Sequence, residues 1–408
     1  MSGIPGRSSA VYDAGRMSAL PSLPPGAAPT GERSARRWAR LGLSAASTVA
    51  ALLLLEGGLR LAWPGRADAM NLAAFTRTST RPGQMTELIP GARNDHFVGG
   101  PVRINEHGRR GPSAPLEKPR DTVRILAVGD SVTFGYGVRE EATYHQRIAS
   151  RWTAGGGRRF EAINAGLTSA GLPYVLHTVR AECGVLDPDL ILVGLVVNDF
   201  GVYPPEVLEE RPLARSRTEA DPGRWRLLGP LHRSTVVTMS VHLAKSLLYR
   251  TRLLDLSDSP GYHFPALADP SPALDAVWES SLSVLDATVE AARECGSPIA
   301  FTLFPLEIQL SASALRRYTE DLGFPLGEGV IARDPQRRLA EWAADRGVSF
   351  IDLAPAFLGA DPSALYLRGG YVTVDPVHPS EEGHRVAADQ LVAHLEEMDL
   401  FPEPGGAR

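Results

Sequence analysis

Ser131 closes an apolar run beginning at Val123, and far along the chain His378 follows Asp375 by three residues, in Asp375-Pro376-Val377-His378-Pro379. A serine hydroxyl is a weak nucleophile at neutral pH until a base takes its proton, and an imidazole does this best when a third group fixes its tautomer. His378 has the chemistry to be that base for Ser131. Asp375, on a turn held by Pro376 and Pro379, can accept from the other ring nitrogen. Attack on an ester carbonyl builds an oxyanion, which needs donors already aimed at it. Three are on offer: the backbone N–H of Ser131 at the start of a turn or short helix, the N–H of Gly166, and the side-chain amide of Asn198. Gly166 lacks a side chain, so the expectation is that a substrate comes close there. Taken singly, Asp130-Ser131 reads equally well as a helix N-cap, Gly166 as a turn and Asn198-Asp199 as a polar strand end. Those local readings leave the pairing of His378 with Asp375 unexplained.

Residues so distant in sequence need a scaffold that gathers them. Five apolar runs read as strands: VRILAV from Val123, FEAINA from Phe160, LILVGLVV from Leu190, PIAFTLF from Pro298 and VSFIDL from Val348. The third is almost continuously apolar, as in a strand covered on both faces. Helical patterns alternate with them, the mark of a parallel α/β sheet. The clearest is the stripe Leu274, Val277, Trp278, Leu282, Leu285, Val289. Asp334-Pro335 starts another helix, and Gly184, Gly296 and Gly347 fall where helices are expected to stop. Residues 201–272 interrupt the alternation as an insertion too long for a bare loop, with a helical stretch in its second half. In a doubly wound sheet ligands bind outside the carboxyl ends of the strands. Ser131, Gly166 and Asn198 each follow such an end, and Asp375 and His378 precede the last helix, so all five are expected at one edge.

These segments resemble the four blocks of the SGNH, or GDSL, hydrolases in the same order: GDSVTFGYG, NAG, GLVVND and DPVHP. The resemblance covers roughly residues 123–395, the insertion being its least constrained part. It implies a three-layer α/β/α fold with a five-stranded parallel sheet of flavodoxin-like topology. It also implies a serine esterase with Ser131, His378 and Asp375 as catalytic triad and Ser131, Gly166 and Asn198 as oxyanion hole. An upstream INEHGRRG resembles a lead-in found in membrane-anchored members. An O-acyltransferase or deacetylase working on a cell-surface polysaccharide could use the same triad. A tethered binding module that keeps the fold without the chemistry is a third reading, which the intact residue set disfavours.

The N-terminal part reads differently. Residues 1–37 form a basic tail rich in Pro, Gly, Ser and Ala, expected to be disordered. An uncharged stretch over 41–55 follows and, continued to Trp63, is long enough to cross a bilayer. Glu56 and Arg60 lie four apart near its far end and can pair on one helix face. Arg33, Arg36, Arg37 and Arg40 flank it, with Trp38 and Trp63 placed like interfacial anchors. No cleavage site lies at the usual spacing, so 38–63 is expected to be an uncleaved signal anchor with the remainder exported. Residues 64–120 read as linker and lead-in, 121–398 as the hydrolase domain and 399–408 as a C-terminal tail.

Composition narrows the alternatives. Forty-two basic against forty-seven acidic residues give a net charge of −5, with no basic tract interleaved with aromatics to suggest nucleic acid. The histidines show no metal-ligand spacing, and no GxGxxG or Walker loop follows a strand, so neither metal nor cofactor is expected. The absence of a GxSxG elbow argues against the α/β-hydrolase fold. The partners expected are therefore an ester substrate (a lipid, an acylated sugar or a small molecule) and a membrane. Cys183 and Cys295 form no CxxC and each precedes a glycine, which favours plain buried thiols. A disulfide between them stays open for an oxidising compartment.

Overall fold

The computed structural model describes residues 30–62, 69, 71–81, 83–155, 158–209, 234–250, 264–317, 333–368 and 375–398. The chain divides into two compact units, residues 1–55 and 56–408. Helix α1 (Thr30–Ala62) begins within the stretch expected as tail, because the Ala- and Arg-rich residues before the apolar run are themselves good helix formers. Its portion Ala35–Ala62, 28 residues, is the one helix among the described residues long and apolar enough to cross a membrane. Leu53, Leu54 and Leu61 on it are exposed. The rest of the expected tail (1–29), Trp63 and the C-terminal tail (399–408) lie outside the described residues, as do 210–233 and 251–263 of the insertion.

In the second unit the five expected strands are all present: β5 (Thr122–Gly129), β6 (Arg159–Gly166), β7 (Leu190–Val196), β8 (Ile299–Phe304) and β9 (Ser349–Asp352). They form one parallel sheet in the order β6-β5-β7-β8-β9. That is the flavodoxin-like order, in which the chain reverses direction after its first two strands. Every residue of β5 and β7 is buried, as central strands covered on both faces require. α2 is the single turn Ser131–Phe134, and α3 (Tyr144–Ala154) follows it. α4 (Leu172–Leu186) precedes β7, α5 (Thr235–Arg250) lies in the insertion, and α6 (Pro272–Glu294) carries the Leu274 stripe. α7 (Asp334–Arg346) and α8 (Glu381–Glu397) complete the helical layers. α4 packs with α6, and α3 with α8, giving the three layers.

Several local expectations need revision. Gly184 does not end a helix; α4 runs through it to Leu186 and stops at Asp187, which adopts φ 48° and donates its N–H to the Cys183 carbonyl. Gly296 (φ 77°) and Gly347 (φ 61°) do terminate α6 and α7. Cys183 and Cys295 are joined in a disulfide with Cα atoms 6.1 Å apart, closing a sequence separation of 112 residues; the plain-thiol reading is overturned. Each cysteine near the end of its own helix said nothing of the other, but the packing of α4 on α6 puts those ends side by side. Arg60 and Glu56 do pair, Nε to Oε1 at 2.6 Å. Glu56 also accepts from Ser234 Oγ (2.8 Å) and from the N–H groups of Thr235 and Val236 (both 2.9 Å), so α5 starts on this carboxylate.

Residues 64–120 are more than a linker. Two short antiparallel pairs, β1 (Thr76–Thr78) with β2 (Thr86–Leu88) and β3 (Arg93–Asn94) with β4 (Val102–Arg103), build a satellite fold. Its own small core of Phe75, Leu88, Phe97, Val102 and Ile104 takes in Phe134 and Leu167 from the main domain. Arg124, fully buried in β5, pairs with Glu161 (2.7 Å) and donates to the carbonyls of Pro115, Leu116 and Leu186, stitching the lead-in to the base of the sheet. Each half of this arrangement is too small to bury an apolar face alone, which is why the segment docks.

Candidate active site

β5 ends in Gly129, whose backbone leaves no room for a side chain against Gly194 of β7 and the Thr133 hydroxyl. The chain turns at once into α2, with Asp130 as N-cap: its Oδ1 accepts from Val132 N–H at 2.8 Å. Ser131 is thus the first residue of a helical turn, where an N–H makes no intrahelical hydrogen bond. Ser131 Oγ lies 2.9 Å from His378 Nε2 and 3.3 Å from Asp130 Oδ2. His378 Nδ1 lies 2.7 Å from Asp375 Oδ2. Asp375 Oδ1 accepts from the N–H groups of Val377 (3.1 Å) and His378 (3.0 Å), closing the turn that presents the imidazole. Residues 247 apart in sequence are thereby linked in one hydrogen-bonded chain at the carboxyl end of the sheet.

The electrostatics suit proton transfer. Burial pushes the Asp375 carboxyl up, but the imidazole charge and hydrogen bond and the two backbone donors outweigh it and hold the group below its ordinary range. For His378 burial disfavours the cation, yet Asp375 beside it, with a smaller contribution from Asp130, raises the group above its ordinary value. Asp130 itself is pushed up, chiefly by burial. Asp199 is pushed well up by burial and then by the like charge of Asp130.

Asn198 sits in the short turn Val197–Asp199 that ends β7, half-buried, its Oδ1 buried without a partner among the described residues. Gly166 is opposite Gly129 in the β5–β6 register. Its environment differs from the expectation: a Cβ there would overlap the backbone of Thr133 and Phe134, and its N–H already donates to Asn164 Oδ1 at 2.9 Å. The missing side chain serves backbone packing against α2 rather than substrate approach, and the N–H is engaged. His384 and Ser380 behave as capping and packing predict: Ser380 caps α8, and burial takes the His384 imidazole down to about 3.

Other residues of the site escaped sequence reasoning. Arg110, from INEHGRRG, is buried and donates to the carbonyls of Phe134 (2.9 Å), Gly135 and Val138 (2.8 Å), clamping the loop that leaves the nucleophile turn. Asn164 Nδ2 donates to the same Phe134 carbonyl at 3.1 Å. Glu307 is 2 % exposed and paired with Arg368 (Nη1 to Oε2, 2.9 Å) and Arg317 (3.3 Å). Its N–H donates to Pro376 O at 2.9 Å, tying the end of β8 to the turn bearing Asp375. The one available signal was a single charge inside an apolar run, and its arginine partners lie 10 and 61 residues on. Tyr136 stacks on His378 with ring centroids 4.4 Å apart. Among the described residues no cluster of potential metal ligands occurs.

Several solved structures are similar to this chain at low identity. They include an acetyl xylan esterase, AlAXEase (15 % identity, 67 % of this chain and 100 % of that one, TM-score 0.38). A catalytic mutant of Axe2, an acetylxylan esterase from Geobacillus stearothermophilus, is 14 % identical over 67 % of this chain and 94 % of its own (TM-score 0.38). The lipase Lip_vut3 from a goat rumen metagenome is 15 % identical over 66 % and 96 % (TM-score 0.38). Similarities of this size say nothing about what this chain acts on. No curated protein matches it in sequence. The model of the GDSL-like Lipase/Acylhydrolase family matches residues 127–386. That span runs from β5 into α8 and contains Ser131, Asn198, Asp375 and His378; the chain belongs to the GDSL-like lipase/acylhydrolase family and is an ester hydrolase.

Proposed function

We propose that the protein is a serine esterase acting through Ser131, His378 and Asp375. The observation that carries this reading is the unbroken chain Ser131 Oγ, His378 Nε2, His378 Nδ1, Asp375 Oδ2, at 2.9 and 2.7 Å. In the first half-reaction Ser131 Oγ bonds to the ester carbonyl carbon while its proton passes to His378 Nε2. The oxyanion is received by the Ser131 N–H and by the Nδ2 donor of the Asn198 side-chain amide, at the turn that ends β7. Gly166 could add its N–H only by sharing it with Asn164. As the intermediate collapses, the C–O bond to the alcohol breaks and His378 returns the proton to the leaving oxygen. Water then attacks the acyl-enzyme, its proton goes to Nε2, and the acid departs as Ser131 Oγ is reprotonated. Asp375 holds the ring in the tautomer that leaves Nε2 free to accept.

We also read α1 as an uncleaved signal anchor with the catalytic domain exported. The Cys183–Cys295 disulfide supports an oxidising compartment, and Arg33, Arg36, Arg37 and Arg40 ahead of the apolar stretch support an N-terminus on the cytoplasmic side. Protease protection in membrane vesicles of known orientation tests this; a domain sheltered with its thiols free would overturn it.

The test of the chemistry uses the full chain in detergent, with p-nitrophenyl esters and a fluorophosphonate probe. Ser131→Ala and His378→Ala are each expected to lower turnover by on the order of a million-fold, and Asn198→Ala by roughly a hundred- to a thousand-fold. Parent protein that resists the probe, or Ser131→Ala that still turns over, refutes the assignment.

A further inference from the structure

Tyr136 has a place in the site that none of the steps above uses. It sits between Gly135 and Gly137, both in the left-handed region (φ 86° and 77°), and its N–H donates to the Ser131 carbonyl at 2.9 Å. Its ring lies against the His378 imidazole, centroids 4.4 Å apart and planes inclined by 35°. On its other side Phe97 meets it edge-on at 5.4 Å, Phe75 meets Phe97 at 5.1 Å, and Phe75 stacks on Phe134 of the nucleophile turn at 5.6 Å. Four aromatic rings thus lead from the nucleophile turn through the satellite fold and back onto the catalytic base. Gly99 presses against the backbone of Gly137, where a Cβ would overlap it, so the satellite fold also braces the loop directly.

We propose that Tyr136 is a positioning residue that holds the His378 imidazole and favours its protonated state through the ring face, with Phe97 of the satellite fold holding Tyr136 in place. The physical basis is the ring quadrupole: a cation against an aromatic face is attracted to it, and more strongly where water is excluded. During attack His378 becomes an imidazolium, so the interaction is stronger in the transition state than in the free enzyme, which is the condition for it to raise turnover. Five groups bear on the His378 charge: Asp375 on its own turn, Asp130 and Ser131 at the β5–α2 junction, His384 on α8, and Tyr136. The Tyr136 hydroxyl does not titrate in the working range, because burial and then the Asp375 charge push it up to about 12. The ring, not the hydroxyl, therefore carries the effect.

The inference rests on His378 being the base. Tyr136→Phe keeps the ring and is expected to stay within threefold of the parent in kcat. Tyr136→Leu keeps apolar bulk but loses the ring; kcat is expected to fall about 10- to 100-fold at little-changed KM. The acidic limb of kcat/KM should move to lower pH, because the imidazolium loses support. Phe97→Leu should fall between the two. Fluorophosphonate titration of active sites accompanies each variant, so that turnover is reported per folded site. Parent-like turnover and pH profile in Tyr136→Leu overturn the proposal while leaving the triad standing. A Tyr136→Phe as impaired as Tyr136→Leu overturns it as well. If Tyr136→Leu does not fold, Phe97→Leu decides, and parent-like kcat and pH profile there also overturn it. Failure of the parent to label is a different result and refutes the triad itself.

Discussion

Replacing Arg110 by Met should loosen the nucleophile loop from beneath. The guanidinium is 2 % exposed and makes three charge-assisted hydrogen bonds to carbonyls of the loop that follows Ser131. Burial takes it down to about 10, so it remains a cation at neutral pH. Each bond of this kind is worth about 1.5–3 kcal/mol, but the three acceptors are not equally exposed to its loss. Phe134 O keeps Asn164 and Gly135 O keeps the Val138 N–H, whereas Val138 O has no second donor among the described residues. Three such bonds at the lower end come to about 4.5 kcal/mol, and because Met fills most of the volume and relieves the desolvation of a buried charge, the net loss is about 3 kcal/mol. Domains of ordinary stability survive that. The chain should remain folded, with a urea midpoint lowered in proportion. Turnover should fall further than stability suggests, by about 100-fold, because displacing a nucleophile by an ångström has that effect. Urea unfolding followed by tryptophan fluorescence, with p-nitrophenyl acetate turnover per labelled site, measures both. A parent-like midpoint together with parent-like turnover would show that the clamp is incidental and that INEHGRRG serves something else.

Four further outcomes follow from the same geometry. Gly166→Ala should abolish activity and destabilise the domain by about 3 kcal/mol or more, since the new Cβ overlaps the Thr133–Phe134 backbone; a soluble, active variant contradicts that packing. Opening the disulfide by Cys183→Ala with Cys295→Ala should lower stability by up to about 5 kcal/mol on the chain-entropy estimate for so long a loop, read as the denaturant midpoint against the oxidised parent. The neutral imidazole is the working form and His378 is raised, so kcat/KM should reach half its plateau above about pH 6.5 and fall on the acid side. Asp375→Asn removes the charge chiefly responsible for that rise, so the limb should shift to lower pH with a loss in kcat of about ten-thousand-fold; an unmoved limb would assign the titration to another group.

The five strands of the sheet and the helices 272–294 and 334–346 were legible because local pattern decides them: apolar period, a serine or aspartate near the first turn, proline at the start, glycine at the stop. Where local and tertiary terms competed, the reading slipped. Gly184 looked like a stop, but α4 packs with α6, Cys183 and Leu186 on either side of the glycine are buried, and the helix continues to Leu186. Residues 64–120 looked like a linker because two-residue strands carry no periodicity; their apolar residues are scattered, and only docking against Phe134 and Leu167 gathers them. Glu307 carries no local sign of its burial, since the arginines that neutralise it, Arg317 and Arg368, are brought to it by the fold.

By itself the sequence determined which chemical groups are present and which strand ends they follow, and that suffices to bring Ser131, Asn198, Asp375 and His378 to one edge, since a parallel sheet carries all its strand exits on the same side. Only the tertiary structure decided how those groups are held. The 2.9 Å approach of Ser131 to His378, the Arg110 clamp, the Cys183–Cys295 bond and the Tyr136 stack all join residues from separate elements. The physical reason is that propensity and period act over a few residues, whereas hydrogen bonds, ring contacts and ion pairs act over a few ångströms, and the fold alone converts the one distance into the other.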